Sequence, residues 1–201
     1  AGSSKVYDEM LQIDIPSSDT LDIEGTGSTL PTLDDSGSGS NITIADVSTG
    51  AVTVGNMTIS GGVAKSPTVS GGGILDLGSG TVTVNDDTFS DNSAPDHGGA
   101  IDAGDACIGE GDLTGNVIVT QSTFTGNSSD DGGALDVGDC SGTGTLTVTN
   151  STFQGNTAPS NTGAIAAWKG GTITNSTFAS NDGAVEGNAL TLANSILDDA
   201  S

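Results

Sequence analysis

Thr81-Val82-Thr83-Val84-Asn85-Asp86-Asp87-Thr88-Phe89 returns along the chain, and its return decides the fold. It reappears as Val117-Ile118-Val119-Thr120-Gln121-Ser122-Thr123-Phe124 and as Leu146-Thr147-Val148-Thr149-Asn150-Ser151-Thr152-Phe153. A fourth copy is Thr172-Ile173-Thr174-Asn175-Ser176-Thr177-Phe178; weaker copies end at Ile59 and Leu197. Inside each copy the aliphatic residues alternate with threonine, which places Val82/Val84, Val117/Val119 and Leu146/Val148 on one face of a strand. Each Phe is followed three residues later by asparagine: Asn92, Asn127, Asn156 and Asn181. A glycine turn and a small–aliphatic pair come next, Ala100-Ile101, Ala134-Leu135, Ala164-Ile165 and Ala184-Val185, with Ile74-Leu75 earlier. Three short strands per repeat, no helical period and repeats of unequal length describe an all-β solenoid, a parallel β-helix of about seven coils. Ile59 and the four phenylalanines should stack as one internal column.

Working outward, residues 52–197 carry the repeats and 1–51 are less regular, within a single domain spanning 1–201. Leu11–Ile15, Leu21–Ile23 and Ile42–Ile44 read as strands of opening coils, Ser36–Ser40 as a loop, and residues 1–8 as a flexible arm. Of the 26 acidic residues 22 are aspartate; against them stand Lys5, Lys65 and Lys169, no arginine, and a net charge of −23. Such a charge disfavours nucleic acid and anionic membranes, which need cationic patches. No apolar run approaches the ~18 residues of a membrane span, so no membrane insertion is expected. No basic-then-apolar leader is read at the start, so Ala1 is expected to be either a mature start or an artificially chosen one.

The four Phe-x-x-Asn motifs, paired with Gly-Gly-Ala-Ile and its relatives, resemble the repeats of the polymorphic outer membrane proteins. The resemblance covers roughly residues 52–197 and implies a right-handed β-helix that is secreted or displayed at the cell surface. Larger members of that family act as surface proteins and adhesins carried by a separate C-terminal barrel. The fourth repeat departs from the pattern, with Thr162-Gly163 in place of Gly-Gly.

In a β-helix equivalent residues of successive coils stand about 4.8 Å apart, so each motif becomes a ladder. Asn92, Asn127, Asn156 and Asn181 should form a structural stack that satisfies backbone groups at a corner. Cys107 and Cys140 follow the small–aliphatic pairs of adjacent coils and should form a disulfide in an oxidising compartment. His97 reads as an exposed turn residue outside any closed zinc set. Asp76, Asp102 and Asp136 are expected in one outward column and Asp105 and Asp139 in a second, crowded enough for calcium, although no cofactor is required. Asn41, Asn56, Asn127, Asn150 and Asn175 sit in Asn-x-Ser/Thr triplets and are candidate N-glycosylation sites.

Three lysines in no repeated cluster offer little to a polysaccharide lyase, and abundant aspartates single out no glycosidase pair, so no enzyme is expected. Rows such as Thr81/Thr83, Thr145/Thr147 and Thr172/Thr174 hint at ice binding, but Asn116/Ile118 and Gly170 interrupt them. No capping helix follows Leu190–Leu197, which fits either a piece of a longer protein or an end that pairs with another subunit. The sequence therefore reads as an extracellular, self-associating fibre subunit stacking head to tail. A surface adhesin that binds neutral glycans or a surface protein is the alternative.

Overall fold

The computed structural model describes residues 5–8, 10–15, 19–35, 39–44, 50–65, 70–104, 114–160 and 162–198. They form 22 short strands in three parallel sheets, and the chain visits the sheets in strict rotation. Sheet A has eight strands, from Val6–Tyr7 to Ile196–Asp198. Sheets B and C have seven each, running from Leu11–Ile13 to Val185–Gly187 and from Thr20–Glu24 to Leu190–Ala193. The result is seven three-stranded coils of a right-handed parallel β-helix, the hand that parallel crossovers adopt almost without exception. Val6–Tyr7 pairs with Thr32–Asp34, so this part of the expected arm is a strand of the first coil.

Alternation fills the core from all three sheets. Sheet A contributes Leu33, Ile59, Phe89, Phe124, Phe153, Phe178 and Leu197 in register. The four phenyl rings stack nearly parallel with centroids 4.8–4.9 Å apart, because the coil repeat sets their spacing. That separation is within the range where offset aromatic pairs add to simple burial. Sheet B adds Ile42, Ile74, Ile101, Leu135 and Ile165, all fully buried.

The asparagine ladder turns the corner after sheet A. Asn92 donates from Nδ2 to Asn127 Oδ1 (3.0 Å), Asn127 to Asn156 (2.9 Å) and Asn156 to Asn181 (2.9 Å). Each Oδ1 also accepts the backbone N–H of the preceding rung, and each Nδ2 reaches the carbonyl of the previous coil's core residue, as Asn127 does to Phe89. A fifth rung exists. Gly62 occupies the ladder position after Ile59, and Asn41 fills the vacated space, donating to Asn92 Oδ1 (3.2 Å) and Ser60 O (3.0 Å). A Cβ on Gly62 would stand 2.7 Å from the Asn41 amide nitrogen. The Gly-Gly pairs serve a similar close approach: a Cβ on Gly133 would stand 2.4 Å from the carbonyl oxygens of Gly163 and Thr157. The departing repeat keeps that glycine as Gly163.

A second ladder runs along the corner between sheets C and A. Asn56, Asp86, Gln121, Asn150, Asn175 and Asn194 all adopt left-handed backbone angles, with φ between 51° and 60°. Behind them, the hydroxyls of Ser122, Ser151, Ser176 and Ser195 accept the backbone N–H one coil back, each at 3.2 Å. Asp87 takes the equivalent place and accepts from Met57 N (2.8 Å).

Phe124→Ala should cost about 3–5 kcal/mol in urea denaturation, since it opens a cavity between two stacked rings. Asn127→Ala should cost about as much despite its small volume change, because it strands the buried Asn92 donors and takes a donor from the Phe89 carbonyl and from Asn156 Oδ1.

Candidate functional site

Among the described residues, the outer face of sheet B is where titratable side chains of adjacent strands, Asp102 and Asp136, are buried together. Asp102 and Asp136 follow the inward Ile101 and Leu135, point away from the core, and stand opposite each other in register. Each is nonetheless shielded, at 2 % and 0 % exposure. The turn before Ile101 brings His97 beside Asp131, and the loop after Val137 brings Asp139. His97 Nε2 lies 3.4 Å from Asp139 Oδ2 and 3.7 Å from Asp96 Oδ1. From the following coil, Trp168 Nε1 donates to Asp136 Oδ1 (3.1 Å), and Lys169 Nζ donates to the Cys140 carbonyl (2.9 Å). Burial pushes the Asp136 carboxyl well above the usual range; the Asp102, Asp131 and Asp139 charges push it further and His97 opposes them.

Several expectations change here. His97, with 14 % of its side chain exposed, faces the acidic cluster rather than standing free in solvent. Asp76 leaves the supposed column: Leu75 pairs with Asp102, and Asp76 pairs with Ala103 and Ile44. Ile74, not Leu75, is the inward residue, so alternation turns Asp76 toward the core. Its Oδ1 accepts from Gly78 N (2.9 Å), and burial raises its pKa to about 7. Asp105 and Cys107 lie outside the described residues. Cys140 is disulfide-bonded and no described cysteine is free.

Among the glycosylation candidates, Asn41 and Asn127 are fully buried ladder rungs, so the fold has no room for a glycan on either. Asn56, Asn150 and Asn175 do share the left-handed corner. Asn150 and Asn175 are exposed, while Asn56 is half-buried and donates to Glu24 Oε2 (2.7 Å).

Register also redraws the threonine faces. On sheet C, Ile118 interrupts Thr53, Thr83, Thr147, Thr172 and Thr191. On sheet A, by contrast, Thr32, Thr58, Thr88, Thr123, Thr152 and Thr177 form an unbroken outward column. The sequence reading missed this column, although the residue before each Phe carries it. It also missed the His97 cluster. Aligning Asp96-His97-Gly98-Gly99-Ala100-Ile101-Asp102 with Asp130-Asp131-Gly132-Gly133-Ala134-Leu135-Asp136 would have shown both turns feeding one face.

The Chlamydia polymorphic membrane protein repeat model matches residues 88–104. That span runs from the Phe89 strand across the corner to His97, Asp102 and Ala103. No curated protein and no solved structure matches the chain. Among the described residues no helix is long and apolar enough to cross a membrane.

The buried carboxyls set a pH dependence. Asp76 titrates near 7 when folded against an ordinary 3.8; Asp87 is also raised to about 7 by burial, against hydrogen bonds from Met57 and Asn85. Between those values the native state holds protons that the unfolded chain releases, so stability falls as pH rises and levels off above about 7. Urea midpoints at constant ionic strength should therefore drop between about pH 4.5 and pH 7.5. Asp76→Asn should flatten that slope and raise the midpoint at the higher pH.

Proposed function

We propose that the protein is a non-enzymatic surface element: an extracellular fibre subunit that self-associates by stacking terminal coils head to tail. The observation that carries this reading is where apolar surface lies. Of the large hydrophobic side chains exposed among the described residues, only Ile118 is on a central coil. Val6, Tyr7, Met10, Leu11 and Leu30 belong to the first coil, and Leu192, Ile196 and Leu197 to the last. A cavity of about 570 Å³ opens at the first coil between Tyr7, Leu11, Ile23, Leu33 and Met57, which suits apolar side chains arriving along the axis. Parallel strand addition at such an end satisfies backbone groups and covers the apolar column together. The repeat match supports a surface or outer-membrane-associated setting. A disulfide between Cys107 and Cys140, also proposed here, fits an oxidising compartment. Against catalysis, Asp102 and Asp136 are too shielded to meet a polysaccharide.

Negative-stain electron microscopy and sedimentation at physiological salt should show rods that lengthen with protein concentration. Leu192→Asp/Leu197→Asp, which charges the last coil only, should leave single rods. Single rods from the parent protein at every concentration would remove the stacking model.

The threonine column of sheet A favours a second reading, a surface-binding module. Half-buried hydroxyls repeated about every 4.8 Å make a regular face for a neutral glycan or for ice. Binding to neutral glycan arrays, or thermal hysteresis that Thr123→Lys abolishes, is the expected result for this reading.

A further inference from the structure

One imidazole nitrogen and one carboxylate oxygen from each of Asp136 and Asp139 lie within 4.8 Å of one another. Proximity of acids to a histidine is common, but a second feature sets this cluster apart. Asp136 is fully buried; its Oδ1 takes the Trp168 indole N–H, while its Oδ2 has no hydrogen-bond partner. A buried carboxylate oxygen without a donor is costly, and more so with Asp102 directly alongside in register. A cation on that oxygen removes both costs.

We propose that His97, Asp136 and Asp139 bind a divalent first-row transition metal ion, with Zn²⁺ the best match, which ties the turn of one coil to the strand and loop of the next. Donor chemistry selects the ion. Calcium takes six to eight oxygens in an expanded shell, whereas one imidazole and two carboxylates suit four-coordinate zinc with water in the last position. Geometry agrees: two ligands about 2.0–2.1 Å from a tetrahedral ion stand about 3.3–3.5 Å apart. His97 Nε2 and Asp139 Oδ2 are at 3.4 Å. Trp168 holds Asp136 from the outer shell, as such partners commonly do for metal-bound carboxylates. Asp139 is 22 % exposed and His97 14 %, so their side is open for entry and for the water. Of the aspartates expected to bind calcium, two are thus retained and the missing ligand is the histidine.

The chain has one histidine and one tryptophan, so both make unambiguous reporters. The whole protein, chelator-treated with its disulfide intact, would be titrated with ZnCl₂ by calorimetry and by Trp168 fluorescence, with CaCl₂ in parallel. One equivalent of Zn²⁺ should bind, shift the His97 Nε2 resonance, change the Trp168 emission and raise the melting temperature. His97→Ala and Asp139→Asn should each weaken binding at least about tenfold while the metal-free variants melt with the parent. An unmoved His97 resonance, or Zn²⁺ affinity unchanged in both variants, would overturn the site. So would Ca²⁺ binding as tightly as Zn²⁺ and indifferently to His97→Ala, which would return the cluster to oxygen-only ligation. The histidine resonance is read on the parent protein, so it decides the matter even if a variant misfolds.

Discussion

Everything in this molecule depends on one constraint: each strand hydrogen-bonds to the equivalent strand of the next coil with no slip in register. Sheet A pairs Phe with Phe and Thr with Thr through its central coils, and sheet C pairs valine with valine in the same way. One side chain is thus solved once and repeated along the axis. Stability in such an array is a sum over nearest-neighbour interfaces, so a defect in one rung is felt by two interfaces and by few others. The asparagine ladder shows how strict the constraint is. Where Gly62 removes a rung, Asn41 arrives from an earlier corner to replace its amide.

Acidic residues follow from the same arrangement. Most of the described aspartates are exposed or half-buried, but Asp35, Asp76, Asp87, Asp102 and Asp136 are buried. They do different things. Asp87 stands in for a serine of the corner ladder, Asp76 intrudes on a core column, and Asp102 and Asp136 stack beneath a cover of turns and Trp168. Charge that composition presents as a uniform coat is, in part, internal.

The stacked core was legible because its signal repeats. Phe-x-x-Asn and the Val/Thr alternation recur in register, and the inward column and asparagine ladder follow directly from them. Features that occur once were not legible. Asp76 was displaced by one position because Gly71-Gly72-Gly73-Ile74-Leu75 offers two aliphatic residues and only three-dimensional pairing chooses between them. Asn41 lies well beyond Leu33 rather than three residues after it, so no motif announces its rung. His97 has no counterpart in other coils; its meaning comes from Asp136 and Asp139 of the next coil, a relation that spacing alone does not express.

The three corners of the coil are not equal in freedom. From the second coil on, two residues, such as Asp86-Asp87 or Asn175-Ser176, join sheet C to sheet A. The link from sheet B to sheet C instead ranges from residues 104–115 down to 188–189. A segment inserted there changes neither the pitch nor the register of the neighbours above and below. Links from sheet A to sheet B vary as widely, from residues 8–10 to 61–73, so the rod has two edges along which new loops can be tried while its packing stays fixed. Asp139, Cys140, Trp168 and Lys169 come from one of these edges and His97 from the other, so any activity particular to this chain, or engineered into it, has its natural seat along them rather than at the two-residue corner.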